Sequence, residues 1–235
     1  MDLRNQRMGR RDGLDDLIER YVRENPALRS PVESKDDADR GNTRGTWQVS
    51  VRRPNDCLVA NGYAMVGDAA WMARPIDAVG ISPAIRAGLI LGETIVDALE
   101  ANDTGEVGLW PYNVRYVREY GHRMLAFELL RRFLQTLTDE EIDYGLRHFI
   151  SADDVAALTR RENPSFGRAR SRVGPGLWLR ALRHAKLARN LKFVADEGVK
   201  LTHLALEFPE RPSGFGAWSS RLHLELARVF GRFAE

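Results

Sequence analysis

Apolar residues recur at helical spacing along most of this chain. In residues 12–25, Leu14, Leu17, Ile18, Tyr21 and Val22 share one helical face, and Pro26 ends the pattern. Residues 29–45 are charged, contain glycine and have no periodicity, which predicts a surface loop. Alternation takes over in "GTWQVSVRRP", where Trp47, Val49 and Val51 predict a half-buried strand that stops before Pro54. "NDCLVANGYAMVGD" predicts a hairpin turning at Asn61-Gly62. From Gly80 onward the pattern is helical. Helices are predicted over about 81–100, 109–136, 175–206 and 217–233. Thr138 followed by Asp139, Glu140 and Glu141 predicts a capped helix start with acids at the positive end of the dipole; Ser151 with Asp153 and Asp154 repeats the device.

These elements predict an α+β fold, mostly helical. A β-containing segment, 1–101, is followed by an all-helical region, 102–235. The 235 residues suffice for one large domain or two small ones, and 43% hydrophobic with 29% charged residues is ordinary for a globular protein. A formal net charge of +2 is too small to imply nucleic acid by itself. The single cysteine, Cys57, excludes an intramolecular disulfide and fits a reducing, cytoplasmic setting. No apolar run reaches the roughly 18 residues that a membrane span needs, which leaves peripheral attachment open. Residues 1–13 enter no strand, and the expectation is that the chain is part of something longer.

The chemistry concentrates in "YAMVGDAAWMARPIDAVGISPAIRAG", Tyr63 to Gly88. Gly67 allows a sharp turn and close approach of a ligand. Asp68 ends a mostly apolar strand, where a carboxylate needs partners. Gly80 opens a helix whose first N–H groups have no partner inside it and favour negative charge or a polarised oxygen. One site would then offer an acceptor at Asp68 and donors at residues 80–82. A ligand with hydroxyls at one end and an electron-rich carbonyl or anion at the other suits both, and a flavin has that layout. The competing reading is an ordinary Gly-Asp turn in which Asp68 caps a helix.

Context decides between them. "VSVRRPNDCLVANGYAMVGDAAWMARPIDAVGI" resembles the second FAD-contacting segment of the geranylgeranyl reductase family, within the p-hydroxybenzoate-hydroxylase-like flavoprotein group. "LLRRFLQTLTDEEIDYGLRHFISADDVAAL" is similar to that family's helical C-terminal region, so the resemblance covers roughly residues 45–205. It implies a small β-containing segment of a truncated, Rossmann-like FAD-binding fold. The implied FAD-contacting residues are Gly67, Asp68, Ala69, Pro75, Gly80 and Ile81. Asp68 would hold the ribityl chain, Gly80 and Ile81 would present backbone to the ring or phosphate side, and Pro75 would shape the turn. Arg52, Arg53 and Pro54 match the family's Arg-Arg-Pro element without an assigned contact; surface charge at a strand end is the other reading of them. The implied reaction is hydride delivery from reduced flavin to an isoprenoid C=C of a prenyl lipid. No catalytic residue is identified.

Two departures stand out. The family's first glycine in Pro-x-x-Gly-x-Gly-Ile is Ala78 here. The Gly-x-Gly-x-x-Gly that seats a dinucleotide pyrophosphate is missing. The resemblance therefore implies a C-terminal portion, with a complementary chain carrying the N-terminal FAD half. Two alternatives remain open: a flavin-free helical module that binds a partner chain or membrane surface, and an FAD-dependent hydroxylase. Residues 160–192 hold ten Lys or Arg and a single acid, Glu162, which predicts a solvated face or peripheral contact with anionic lipid; nucleic acid is not expected. The five histidines lack metal-ligand spacing and Cys57 has no partner, so no metal site is expected.

Overall fold

The computed structural model describes residues 20, 21, 23–25, 49–148 and 185–233. The chain forms two compact units, Met1–Val49 and Ser50–Glu235. In the first, Arg20, Tyr21, Arg23 and Glu24 are helical, and the N–H of Asn25 donates to the Tyr21 carbonyl at 3.1 Å, one residue ahead of Pro26. The rest of the 12–25 helix and the 29–45 loop lie outside the described residues.

The described part of the second unit is mostly helical. Strands β1 (Val59–Ala60) and β2 (Tyr63–Ala64) form an antiparallel hairpin in which Val59 faces Ala64 and Ala60 faces Tyr63. Its two-residue turn is Asn61-Gly62, as predicted, with Gly62 at φ 66°. The strand expected over "GTWQVSVRRP" does not form across residues 49–53, and residues 46–48 lie outside the described residues. A strand requires a ladder partner, and among the described residues β1 pairs with β2 alone.

Helix α1 (Ile81–Glu100) follows a short 3₁₀ turn at Gly67–Ala70. Helices α2 (Glu106–Tyr116) and α3 (His122–Gln135) are joined by a π-helical turn at Val117–Gly121, where a single helix was expected. Helix α4 (Asp139–His148) opens with the predicted capping box: Thr138 N–H donates to Glu141 Oε2 (3.0 Å), and Glu141 N–H donates to Thr138 Oγ1 (3.2 Å). Helices α5 (Ala185–Leu206) and α6 (Phe215–Phe230) complete the series. The predicted start of α5 near residue 175 and the Ser151 cap fall outside the described residues. So does most of the basic 160–192 segment.

Helix α3 lies along α5, and α2 lies along α1 and β1. One apolar core runs through all of them, with Trp110, Tyr112, Met124, Leu129, Phe133, Leu201, Leu222 and Val229 buried. Removing such a side chain from water contributes about 1.5–3 kcal/mol. Trp110 stacks on Phe208 (5.5 Å between centroids) and its indole N–H donates to the Pro209 carbonyl (2.8 Å), fixing α2 against the α5–α6 connection. Buried Glu197 of α5 pairs with Lys200 (2.7 Å) and with Arg228 of α6. Burial alone would push its carboxyl up, but the hydrogen bonds from Lys200 and Arg228 outweigh it and hold Glu197 below the usual carboxylate range.

The Arg-Arg-Pro element is structural. Arg53 is buried; its backbone N–H donates to Glu128 Oε2 on α3 (3.0 Å) and its guanidinium pairs with Asp56. Glu128 is also buried and takes two bonds from Arg132, at 3.1 and 2.9 Å. Asp56 in turn meets His223 Nε2 of α6 at 2.9 Å. Arg52 instead places its guanidinium carbon 4.1 Å from the centre of the Trp71 ring.

Replacing Glu128 by alanine strands a buried amide and the arginines around it. Urea titration is expected to register a loss of about 3 kcal/mol or more. Asp143→Ala, which breaks the exposed Arg147–Asp143 pair, is expected to cost under about 1 kcal/mol. A pH dependence follows from His122, which is buried at the π turn. Its Nδ1 lies 2.9 Å from the Val117 carbonyl and its Nε2 accepts from Arg123 Nε (3.3 Å). Burial, reinforced by the Arg123 charge, holds its pKa below the ordinary 6.5, although the Val117 contact works the other way. The unfolded chain takes up the proton first as pH falls. This share of stability is therefore complete above about 6.5 and drains away as pH falls from there through the folded-state value. Thermal melts between pH 7 and pH 5.5 are expected to show a decline that His122→Gln reduces.

Candidate functional site

The site is built where the hairpin returns to α1. Val66 is extended, Gly67 turns left-handed at φ 65°, and residues 67–70 close a 3₁₀ turn. A β-carbon at Gly67 would lie 3.5 Å from Ala84 Cβ, so the turn packs directly on the first turns of α1. Trp71, also left-handed at φ 57°, ends the 3₁₀ turn: its N–H donates to the Asp68 carbonyl (3.0 Å), and Met72 N–H donates to the Gly67 carbonyl (3.1 Å).

This geometry turns the Asp68 side chain toward the start of α1. A β-carbon on Gly80 would sit 3.4 Å from Asp68 Oδ1. Asp68 is exposed, and no hydrogen bond or ion pair to its side chain occurs among the described residues. Among the described residues no side chain caps α1 at Gly80. The first intrahelical bond runs from Ala84 N–H to the Gly80 carbonyl (3.0 Å), and Pro83 has no N–H to give. The amides of Ile81 and Ser82 are therefore left without intrahelical partners, backed by the helix dipole. The Asp68 carboxylate therefore lies next to Gly80, the residue that opens α1. Ala69 and Ile81 are exposed, so this face is open to solvent.

Residues 74–79 form the loop that sets the entry of α1. Pro75 is buried beneath it. Ala78 N–H donates to the Arg74 carbonyl (2.9 Å) and Arg74 N–H to the Val79 carbonyl (3.0 Å). Arg74 Nε donates to Asp77 Oδ1 (2.8 Å), which also accepts from Val79 N–H (3.3 Å). Burial would raise the Asp77 carboxyl, but these bonds prevail and hold it below its usual range. Ala78 adopts φ 58°, a left-handed conformation that favours glycine. The alanine thus keeps the backbone path a glycine would take.

Sequence reasoning overlooked several polar groups deeper in the unit. Tyr112 donates to the Met65 carbonyl (2.9 Å), and Asn113 Oδ1 accepts from Leu58 N–H (2.8 Å). A cavity of about 40 Å³ lies between Arg53, Asp56, Tyr116, Leu125 and Trp218. Tyr116 is buried and its hydroxyl has no hydrogen-bond partner among the described residues; burial pushes its pKa well up. Helical periodicity marks such residues as core and carries no sign of what their polar atoms meet.

No protein-family profile matches the chain. Curated relatives do. A digeranylgeranylglycerophospholipid reductase of Sulfolobus acidocaldarius is 31% identical over 178 residues, 74% of this chain and 38% of that protein. The protein of the same name from Methanothrix thermoacetophila is 35% identical over 113 residues, 48% of this chain and 29% of the relative. A third, from Methanococcoides burtonii, is 33% identical over 95 residues, 40% of this chain and 23% of the relative.

The chain is a partial member of the geranylgeranyl reductase family.

It spans under two fifths of the length of these reductases. Against the glycine expected from the family's pattern, Ala78 bears the strain of a left-handed residue. Ala78→Gly is expected to stabilise the fold by about 1 kcal/mol, read as a higher midpoint in urea; an unchanged or lower midpoint would show that the loop carries no such strain.

Proposed function

We propose that this chain is the C-terminal portion of an FAD-dependent reductase acting on isoprenoid C=C bonds of prenyl lipids. The observation that carries this reading is the free Asp68 carboxylate set against the uncapped start of α1 at Gly80. Support for the substrate class comes from the names of the relatives, each a digeranylgeranylglycerophospholipid reductase.

The residues fit the cofactor. Asp68 would accept hydrogen bonds from the ribityl hydroxyls, which are stronger to an ionised carboxylate than to a neutral oxygen. The amides of Ile81 and Ser82 would face the electron-rich side of the ring. Gly67 and Gly80 keep the wall flat, Ala69 adds a methyl at most, and Pro75 with the Arg74–Asp77 pair fixes the loop that aims α1. When bound, reduced FAD supplies the hydride; this chain holds and orients it. A complementary polypeptide would contribute the pyrophosphate-binding glycines that this chain lacks, and the basic 160–192 segment would rest on anionic lipid.

The visible spectrum tests the assignment. The chain purified together with a complementary polypeptide is expected to be yellow. Asp68→Ala in that assembly is expected to weaken FAD binding about ten- to a hundredfold, the loss of a hydrogen bond to a charged group. Full retention of flavin by Asp68→Ala would remove the role given to this carboxylate. A colourless assembly would remove the cofactor.

A further inference from the structure

Cations on α5 and α6 are matched by acids, except at one end of the helix pair. Lys192 meets Asp196, Lys200 and Arg228 meet Glu197, and Arg221 meets Glu207. Lys186 and Arg189 on α5, and Arg232 just beyond α6, are exposed and have no ion pair among the described residues. Residues 185–195 contain no acid, so α5 itself offers these three none nearby. All three line one open cleft of about 420 Å³, together with Asn190. That space far exceeds the roughly 30 Å³ of a single water.

Helical spacing builds the cleft. Lys186, Arg189, Asn190 and Phe193 stand at i, i+3, i+4 and i+7, on one face of α5. Arg232 reaches that face from the turn after α6. Its Nη2 donates to Asn190 Oδ1 (2.9 Å), and its guanidinium carbon lies 4.2 Å from the centre of the Phe193 ring. Both contacts hold the guanidinium in place before any ligand arrives. Asn190 spends its oxygen on Arg232 and keeps its amide N–H groups to donate. The cleft thus presents donors from four side chains against one acceptor oxygen already in use. A neighbouring cleft of about 210 Å³ shares Lys186, Asn190 and Arg232 and reaches Glu141, whose carboxylate already accepts from the Thr138 amide. A carboxylate ligand has two oxygens to offer so many donors. A phosphate group has more, and the planar fork of arginine matches it. Nucleic acid fits less well: Arg232 covers Phe193, and Phe193 packs on Phe233 (6.0 Å between centroids), so neither ring stands free to stack a base.

We propose that the cleft between the start of α5 and the turn after α6 binds a phosphate group, carried either by an anionic lipid headgroup or by a free phosphate compound. Lys186, Arg189 and Arg232 supply the charge, and Asn190 both orients Arg232 and donates to the ligand. The site shares no residue with Asp68 and Gly80 and does not rest on the flavin reading. Lys186 and Arg189 belong to the basic 160–192 segment, so a lipid headgroup here would give the contact proposed for that segment a defined seat.

Two titrations of the full chain test it. Inorganic phosphate is followed through the Asn190 side-chain amide by NMR, and vesicles of phosphatidylglycerol or of phosphatidylcholine are followed by co-flotation at about 0.15 M salt. Phosphate is expected to shift the Asn190 amide saturably. Arg232→Gln and, separately, Arg189→Gln are expected to weaken binding about tenfold or more, since each removes a charged donor. Lys192→Gln removes the same charge outside the cleft and is expected to change binding by less than about twofold. All three side chains are exposed, so the melting temperatures of the variants should stay near that of the wild type. Phosphate saturation without cleft-dependent vesicle binding assigns a free phosphate compound. Binding to phosphatidylglycerol and not phosphatidylcholine, lost with the two arginine variants and kept with Lys192→Gln, assigns a lipid headgroup. Equal losses in all three variants would overturn the proposal, as would a chain that shows neither saturation by phosphate nor a preference for phosphatidylglycerol. None of these readings involves flavin, so failure here leaves the role given to Asp68 standing.

Discussion

A backbone amide or carbonyl removed from water has to find a hydrogen-bond partner, and between Arg53 and Met65 there is almost no sheet to supply one. The hairpin contributes two residues per strand. The shortfall is met by helix side chains. Glu128 receives the amide of Arg53, Asn113 receives that of Leu58, and Tyr112 donates to the carbonyl of Met65. The Gly62 amide reaches the Thr104 carbonyl (2.9 Å), and Asn61 Oδ1 accepts from the amide of Glu106 at the start of α2 (2.8 Å). The segment leading to Gly67 is therefore held from α2 and α3. Its position is inherited from the helices.

The charge network shares this logic. Arg53 and Glu128 are buried within an apolar core, where ions are costly unless paired. Each is met by more than one partner, and the chain of contacts runs from Arg53 through Asp56 to His223 on α6. One end of the loop segment is thereby joined to both α3 and α6. The neighbouring Arg52 lies over Trp71, which immediately follows the 3₁₀ turn that bears Asp68. The Arg-Arg-Pro element thus reaches from the helical core to the edge of the candidate site without entering it.

Much of this could be read from the residues in order. Hairpin, capping box and the α1 helix each rest on a local rule: a turn pair, a hydroxyl three residues before an acid, an apolar repeat. The proximity of Asp68 to Gly80 was legible because a glycine turn and a helix start stand only a dozen residues apart. The absent strand over residues 49–53 was misread because alternation reports a half-buried face and says nothing about a ladder partner. Arg53 was hard to place because charge in a sequence carries no record of the carboxylate that meets it 75 residues later. The left-handed turn at Ala78 was hidden by a residue type that seldom adopts it.

The widened turn at Val117–Gly121 sets the phase of the two helices it joins. An extra residue in a helical turn rotates everything after it by about 100° relative to an unbroken α-helix. Upstream, Tyr112 and Asn113 point at the hairpin; downstream, α3 lies along α5. A straight rod would have to divide one face between these duties. With the offset, the two halves keep separate allegiances, and deleting one residue between Tyr116 and His122 would swing the hairpin-facing side chains of α2 out of phase with the seam between α3 and α5.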